Sequence, residues 1–366
     1  MQIKAAVALA PNTPFEYREL SLEAPRANEI LVKIAGSGIC HTDLVFRDQF
    51  LPYPLPAVFG HEGSGTVAAV GSGVTDLVPG DKVVLSFSSC GHCHNCERHI
   101  PAYCTTFAPL NFAGMRPDGS ATLTSPSGPV AGSFFGQSSF ATHALAERRN
   151  VVKVETKTPI ELLGPLGCGI QTGAGAVMQS LACEAGSSIV IFGGGSVGLA
   201  AVMGAAVQNC ATIILCEPMA KRRALGLELG ATHVIDPKAG DVVEAVRAIV
   251  PTGVAYAVDT SGVVAVMNQA IACLGAMGSL GLVGVPPSAT DELSFNITHV
   301  LTSGLTIKGI IEGDSDPAMF IPRLVALHDQ GRFPFDRLIA TYPMAQINAA
   351  LEAQHRGECV KAVLIP

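Results

Sequence analysis

The sequence predicts an α/β unit built on a parallel sheet and inserted into a mostly-β domain. Three observations predict it. The first 150 residues are rich in Gly, Pro and short β-type runs, with turn signals at Pro52, Pro54, Pro56 and Pro79-Gly80-Asp81. From about Gly169 the texture changes, and apolar strands alternate with helices, the pattern of a parallel sheet covered on both faces. After Pro286-Pro287 the chain reads as irregular again and ends in a β-like run over 360–365, which returns it to the β domain.

In the β domain the strands expected are 30–34, 65–70 and 82–85. In the α/β unit the order is strand 188–192, helix 197–208, strand 212–216, helix 219–229 and strand 233–235. Helix 241–250, strand 255–259, helix 263–274 and strand 278–283 continue it. The expected domains are therefore 1–169, 170–308 and 309–366, the first and last forming one body. A length of 366 residues suits two domains.

Composition excludes several classes. Hydrophobic residues make up 48 % and charged residues 14 %, with a mean hydropathy of +0.40, which rules out intrinsic disorder. Residues 185–216 carry no charge and are long enough to span a bilayer. Gly193-Gly194-Gly195 and Gly198 interrupt them, however, and β-branched runs flank them, so they read as a buried strand, turn, helix and strand. The N-terminal stretch has a short apolar run over 5–10 followed by Glu16, Arg18 and Glu19, unlike a secretory signal. A cytoplasmic location is expected, where cysteines more often bind metal or catalyse than pair. Lys and Arg number 23 against 30 Asp and Glu, a net charge of −7 without a basic run. Neither nucleic acid nor an anionic membrane surface fits as a partner.

Two motifs carry chemistry on their own spacing. Gly193-Gly194-Gly195-Ser196-Val197-Gly198 satisfies G-x-G-x-x-G between a strand and a helix. Its glycines let backbone N–H groups approach a pyrophosphate at the helix N-terminus. Glu217, at the end of the next strand, is placed to accept hydrogen bonds from adenosine ribose hydroxyls and to repel a 2′-phosphate, favouring NAD over NADP. Arg222 and Arg223 argue mildly the other way. Cys90, Cys93, Cys96 and Cys104 form C-x2-C-x2-C-x7-C within residues 88–106. Four thiolates close a tetrahedron around Zn²⁺, a structural site. The rival is an iron–sulfur cluster, whose bacterial spacing is shorter in the last interval and followed by Pro, where this chain has Thr105. His92, His94 and His99 read as solvated loop residues, and Cys183, Cys210, Cys216, Cys273 and Cys359 as inert thiols.

Gly60-His61-Glu62-Gly63-Ser64-Gly65, followed by Gly71 and Val74, fits G-H-E-x2-G-x5-G-x2-V. Cys40-His41-Thr42-Asp43 stands upstream, and Gly164-Pro165-Leu166-Gly167-Cys168-Gly169 downstream. With the cysteine lobe and the nucleotide loop, the whole chain resembles the zinc-dependent medium-chain alcohol dehydrogenases. Phe134-Phe135-Gly136-Gln137-Ser138-Ser139-Phe140, Ile310-Ile311-Glu312-Gly313-Asp314-Ser315 and Gly331-Arg332-Phe333-Pro334-Phe335-Asp336 resemble the aryl (benzyl) alcohol dehydrogenases among them.

The resemblance implies a Rossmann doubly wound parallel sheet inserted into a GroES-like catalytic domain. It implies a catalytic zinc on Cys40, His61 and Cys168, with the fourth position left to water or substrate, and Glu62 behind the metal. Asp43 matches the carboxylate that orients the ligand imidazole, and Thr42 the hydroxyl that starts proton transfer. His41 and Lys361 match pyrophosphate contacts, and Thr172, Val197 and Val283 match residues lining the nicotinamide; Phe134 aligns with a substrate-pocket position. Val45 stands where several relatives carry a relay histidine. The activity implied is hydride transfer from a primary, benzyl-type alcohol to NAD, with two zinc ions per chain and a homotetramer or homodimer as the assembly. A thiol-dependent formaldehyde dehydrogenase and a broad aliphatic alcohol dehydrogenase are the alternatives.

Overall fold

The structure is a computed structural model that describes residues 1–288 and 290–366. The chain forms two units: Met1–Cys168 with Asp316–Asp329 and Asp336–Pro366, and Gly169–Ser315 with Gln330–Phe335. The return to the first unit comes at Asp316 rather than 309, and 330–335 go with the second.

The first unit holds two sheets. In the larger, strands run in the order Val151–Lys153, Lys82–Leu85, Gly63–Val70, Glu29–Gly38, Lys361–Ile365 and Ile339–Pro343, with His143–Glu147 also paired to Glu29–Gly38. Glu29–Gly38 is central because Ile30, Val32 and Ile34 are buried and apolar. It runs antiparallel to Gly63–Val70 with irregularities between Leu31 and Val32 and between Ile34 and Gly36; such bulges bend a strand. The final strand lies antiparallel to its far end, Val363 opposite Gly38. The second sheet has the order Ala57–Val58, Gln2–Ala8, Glu16–Leu22, Leu123–Ser125 and Gly128–Val130. Against it packs an aromatic core of Phe15, Phe46, Tyr53, Phe59, Phe134 and Phe140.

The second unit is a six-stranded parallel sheet in the order His233–Ile235, Thr212–Cys216, Ser188–Phe192, Val254–Asp259, Leu274–Leu282 and Thr306–Gly309. The order reverses between Ser188–Phe192 and Val254–Asp259, the switch point at which doubly wound sheets bind nucleotides. The uncharged stretch 185–216 is the strand Ser188–Phe192, the helix Ser196–Val207 and the strand Thr212–Cys216. Among the described residues no helix is long and apolar enough to cross a membrane.

The segment after Pro287 departs from the irregular reading. It contains helices Ile297–Ser303, Pro317–Asp329 and Ile347–His355. Proline misleads here in two ways. Pro317 opens its helix, where a missing N–H costs nothing. Pro322 sits inside the helix but on its exposed side, where water can reach the carbonyl it leaves unbonded.

Candidate metal centres and nucleotide site

The first unit gathers Cys40, His61, Glu62 and Cys168, whose donor atoms all lie within 4.8 Å of one another. Cys40 precedes the helix His41–Arg47. His61 and Glu62 lie just before the strand Gly63–Val70, and Cys168 follows the turn Gly164–Gly167. Asp43 fixes this arrangement: Oδ2 accepts the Cys40 backbone N–H at 2.9 Å, and Oδ1 accepts that of Gly60 at 3.1 Å. The same Oδ1 lies 2.8 Å from His61 Nδ1. A carboxylate only accepts, so Nδ1 carries a proton and Nε2 is the nitrogen left to bind. That Nε2 is buried and has no hydrogen-bond partner.

Electrostatics favour the binding forms. The Cys40 thiol is held well below its ordinary pKa, first by its hydrogen bond with Cys168, against burial and helped by His61 and Lys361. Thiolate is the metal-binding form of cysteine. Burial pushes His61 down, but Asp43 and Cys40 outweigh it and raise its pKa well above the ordinary range. A cation at Nε2 takes the place of that second proton. Two thiols, an imidazole with one oriented nitrogen and a carboxylate are a zinc donor set, so these residues fit the ion.

Lys361 differs from its expected role. Its Nζ is buried and lies 2.9 Å from both Glu62 oxygens and 3.0 Å from the Ile39 carbonyl. It is an internal partner of Glu62, not a phosphate contact, because a fully buried ammonium persists only where it is paired. Burial lowers its pKa, and Glu62 more than reverses that.

Beneath the cluster lies a brace that the motif analysis did not assign. Gln137 Nε2 donates to the His61 carbonyl at 3.0 Å and the Ser86 carbonyl at 3.2 Å, while Oε1 accepts Gly63 N–H at 3.1 Å. Ser138 Oγ donates to the Val58 carbonyl, and Ser139 Oγ pairs with Ser37 Oγ, at 2.7 and 2.8 Å. The phenyl ring of Phe135 stacks on the His61 ring at 4.4 Å. The available signal was the polar triplet Gln137-Ser138-Ser139 set between Phe135 and Phe140. Phe134 is corrected: it is fully buried and packs edge-on against Phe46, Tyr53 and Phe59. It is a core residue, since an aromatic closed in by others has no free face for substrate. Thr42 Oγ1 lies 3.6 Å from Cys40 Sγ, His41 is exposed, and Val45 is half-buried.

The second cluster, also in the first unit, brings Cys90, Cys93, Cys96 and Cys104 within 4.8 Å. The backbone N–H groups of Thr105 and Cys96 hold Cys93 at about 5, while burial pushes Cys96 up to about 12. His92, His94 and His99 are exposed; His99 Nδ1 meets Asp316 Oδ2 at 2.8 Å.

In the second unit, the loop after Ser188–Phe192 turns into the helix Ser196–Val207. Gly193 has a φ of +98°, a conformation that favours glycine. A Cβ on Gly198 would come within 1.8 Å of the Gly193 carbonyl, so only glycine lets the helix pack this close. Gly195 caps that helix, and Val197 lies in its first turn. Glu217 is buried, with Oε2 accepting Gly194 N–H at 2.6 Å and Oε1 accepting Met219 N–H at 2.8 Å. Each oxygen keeps a further lone pair for a ribose hydroxyl. The guanidinium Nε of Arg222 is buried without a partner among the described residues, whereas Arg223 bonds the Glu217 carbonyl at 2.7 Å and Asp236 at 2.9 Å. Thr172 lies in the helix Gly169–Gly175, and Val283 follows the strand Leu274–Leu282.

Two family models match the chain. Residues 26–156 match the alcohol dehydrogenase GroES-like domain, and residues 196–327 match the zinc-binding dehydrogenase family. The chain is 50 % identical to geraniol dehydrogenase of Castellaniella defragrans, over 99 % of this chain and 97 % of that protein. A zinc-binding-domain alcohol dehydrogenase structure from Burkholderia ambifaria superposes with a TM-score of 0.98 at 50 % identity, covering 100 % of this chain and 99 % of that one. The benzyl alcohol dehydrogenase structure from Acinetobacter calcoaceticus gives 0.96 at 43 % identity, over 100 % and 99 %. Donors gathered around an oriented imidazole, a glycine-rich turn at a sheet's switch point and this shared architecture have one reading: the chain belongs to the zinc-dependent medium-chain alcohol dehydrogenases.

Proposed function

We propose that the protein oxidises a primary, benzyl-type alcohol to its aldehyde with NAD, reversibly, and holds two zinc ions. The catalytic ion sits on Cys40, His61 and Cys168, and the structural ion on Cys90, Cys93, Cys96 and Cys104. The observation that carries this is the buried, unpartnered His61 Nε2, set among two thiols and a carboxylate while Asp43 holds the opposite nitrogen.

When bound, the catalytic zinc polarises the alcohol oxygen and the nicotinamide accepts hydride from the carbinol carbon. The chain's own groups do the rest. Asp43 orients His61, and Lys361 keeps the Glu62 carboxylate in hand. Thr42, beside Cys40, takes the proton from the alcohol oxygen. With Val45 at the family's relay position, Thr42 would pass its own proton on to water, to His41 or to the ribose of the bound cofactor. Gly193, Gly195 and Gly198 admit the pyrophosphate, with Arg222 nearby, and Glu217 takes the ribose hydroxyls. Thr172, Val197 and Val283 line the nicotinamide.

An uncharged substrate is supported by the charges around the cluster, which are spent on one another: Asp43 with His61, Glu62 with Lys361. Geraniol and benzyl alcohol, the substrates named for two relatives, both carry the hydroxyl on a carbon next to an unsaturated one. The assembly proposed is a homodimer or homotetramer. Its support is the edge strand Thr306–Gly309 and the exposed Met277, Ile297 and Leu301 in the second unit. A cytoplasmic location suits eleven cysteines that are all free thiols.

The test is a panel of benzylic, allylic, aliphatic and polyol alcohols and thiol-adducted formaldehyde, with NAD or NADP, followed by absorbance of the reduced cofactor. Benzylic primary alcohols with NAD should give the highest kcat/KM. A preference for the thiol adduct would overturn the substrate class, and equal efficiency with NADP the cofactor. Glu217→Ala should relax discrimination against NADP.

A further inference from the structure

The segment 310–315, which resembles that of the aryl-alcohol enzymes, lies between the strand Thr306–Gly309 and the helix Pro317–Asp329. Its backbone is unusual: Glu312, Gly313 and Asp314 have φ values of 51°, 66° and 51°. Three successive left-handed residues, two of them bearing a Cβ, persist only where the surroundings impose them.

The surroundings are the helix Gly169–Gly175. A Cβ on Gly175 would meet the Gly313 carbonyl at 2.5 Å, and one on Gly313 would meet that of Gln171 at 2.5 Å, so the two backbones touch. Side chains then lock the loop on both sides. Asp314 Oδ2 accepts from Ser180 Oγ and pairs with Lys308 Nζ, both at 2.7 Å. Ser315 Oγ donates to the Glu312 carbonyl at 2.6 Å. Glu312 is buried, and its Oε2 accepts from Gln171 Nε2 at 3.2 Å and from Thr172 Oγ1 at 3.3 Å.

A hydroxyl has one proton to give and two lone pairs. With its proton committed to Glu312, Thr172 faces anything else as an acceptor. We propose that Glu312 is a positioning residue for the nicotinamide end of the cofactor: its carboxyl oxygen takes the Thr172 hydroxyl proton and so fixes Thr172 as an acceptor for the carboxamide N–H. This rests on the reading of Thr172 as a nicotinamide-lining residue. The left-handed loop exists to bring that carboxylate under the helix.

The experiment measures dissociation constants of NAD, NADH and ADP-ribose, which lacks the nicotinamide, for the zinc-loaded enzyme and four variants. Glu312→Gln should weaken NAD and NADH about tenfold each and leave ADP-ribose within about twofold. Asp314→Asn, in the same loop, should leave the NAD to ADP-ribose ratio unchanged. Equal weakening of all three ligands, no weakening of any, or the same selective loss in Asp314→Asn overturns the proposal. Thr172→Val removes the hydrogen bond from its other end. If that variant loses NAD selectively while Glu312→Gln does not, the inference alone fails. If Thr172→Val leaves NAD binding intact, the reading of Thr172 fails with it. Should Glu312→Gln not fold, Glu312→Asp, which draws the carboxylate back from Thr172, is read by the same ratio.

Discussion

The two four-donor clusters of the first unit are held by different means. Cys90, Cys93, Cys96 and Cys104 come from one short stretch, and backbone N–H groups of that stretch lower the Cys93 thiol. Cys40, His61, Glu62 and Cys168 come from distant parts of the chain, and separate residues steady them: Asp43 for His61, Lys361 for Glu62, Gln137 for the His61 backbone. A loop of like donors completes its own shell and closes it. A dispersed, mixed set is imposed by the fold, which can hold one donor back. The first arrangement suits a brace and the second a working metal that must leave room for substrate.

The largest expected effect separates the two clusters outright. His61→Ala should lower kcat/KM roughly a thousandfold or more and halve the zinc content. Cys96→Ser should also halve it, but with a marked loss of melting temperature, since structural zinc contributes folding energy directly. Metal analysis and calorimetry on both variants check this. If either substitution empties both clusters, they are not independent.

Next in size is a comparison of buried ion pairs. Lys361→Met and Arg116→Met each strand a buried glutamate, at a cost of about 3 kcal/mol. Arg116 bonds both oxygens of Glu29, and neither residue belongs to either cluster. Lys361→Met should also change the zinc affinity of the dispersed cluster, whereas Arg116→Met should not. The second pair has a pH signature. Burial pushes the Glu29 carboxyl up, but Arg116 and the Arg26 N–H outweigh it and hold its pKa below the ordinary value. Such a group stabilises the fold above its unfolded pKa and loses that contribution as pH falls through the folded one. The stability gap between wild type and Arg116→Met should therefore be full at pH 7 and narrow as pH drops below about 4. A gap that widens in acid contradicts the assignment.

Asp43→Asn should weaken zinc at the dispersed cluster by about 10- to 100-fold, read by chelator competition, without affecting the cysteine lobe. The smallest effect belongs to the lobe. Thr106 Oγ1 lies 3.3 Å from Cys104 Sγ, and Thr106→Val should cost about 1 kcal/mol or less, a shift of no more than about 3 °C in Tm.

The same contrast governs what could be read from the residues alone. Strands such as Ser188–Phe192 and Thr212–Cys216 were legible to the residue, because an apolar β-branched run between turn signals has one stable use. The cysteine lobe was legible because its spacing is its geometry. The dispersed cluster was not: spacing never links Cys40 to Cys168, and only the family pattern did. Lys361 is the instructive miss. A lysine near a nucleotide enzyme's C-terminus suggests a phosphate, but its partner was set by the pairing of the last strand with Glu29–Gly38, a contact between chain ends. Phe134 failed similarly, since an alignment position says nothing about which neighbours enclose a ring. Helix Pro317–Asp329 was hidden by its prolines.

That terminal strand also sets an order of assembly. Lys361–Ile365 enters its sheet between Glu29–Gly38 and Ile339–Pro343, and only after more than three hundred preceding residues have been made. Until then Glu62 lacks its ammonium, and burying a carboxylate without a cation is strongly unfavourable. On the ribosome the dispersed cluster therefore stays open and wet, while the cysteine lobe, complete by Cys104, can already close. A chain that stalls before this strand therefore leaves Glu62 without its ammonium and the dispersed cluster unfinished.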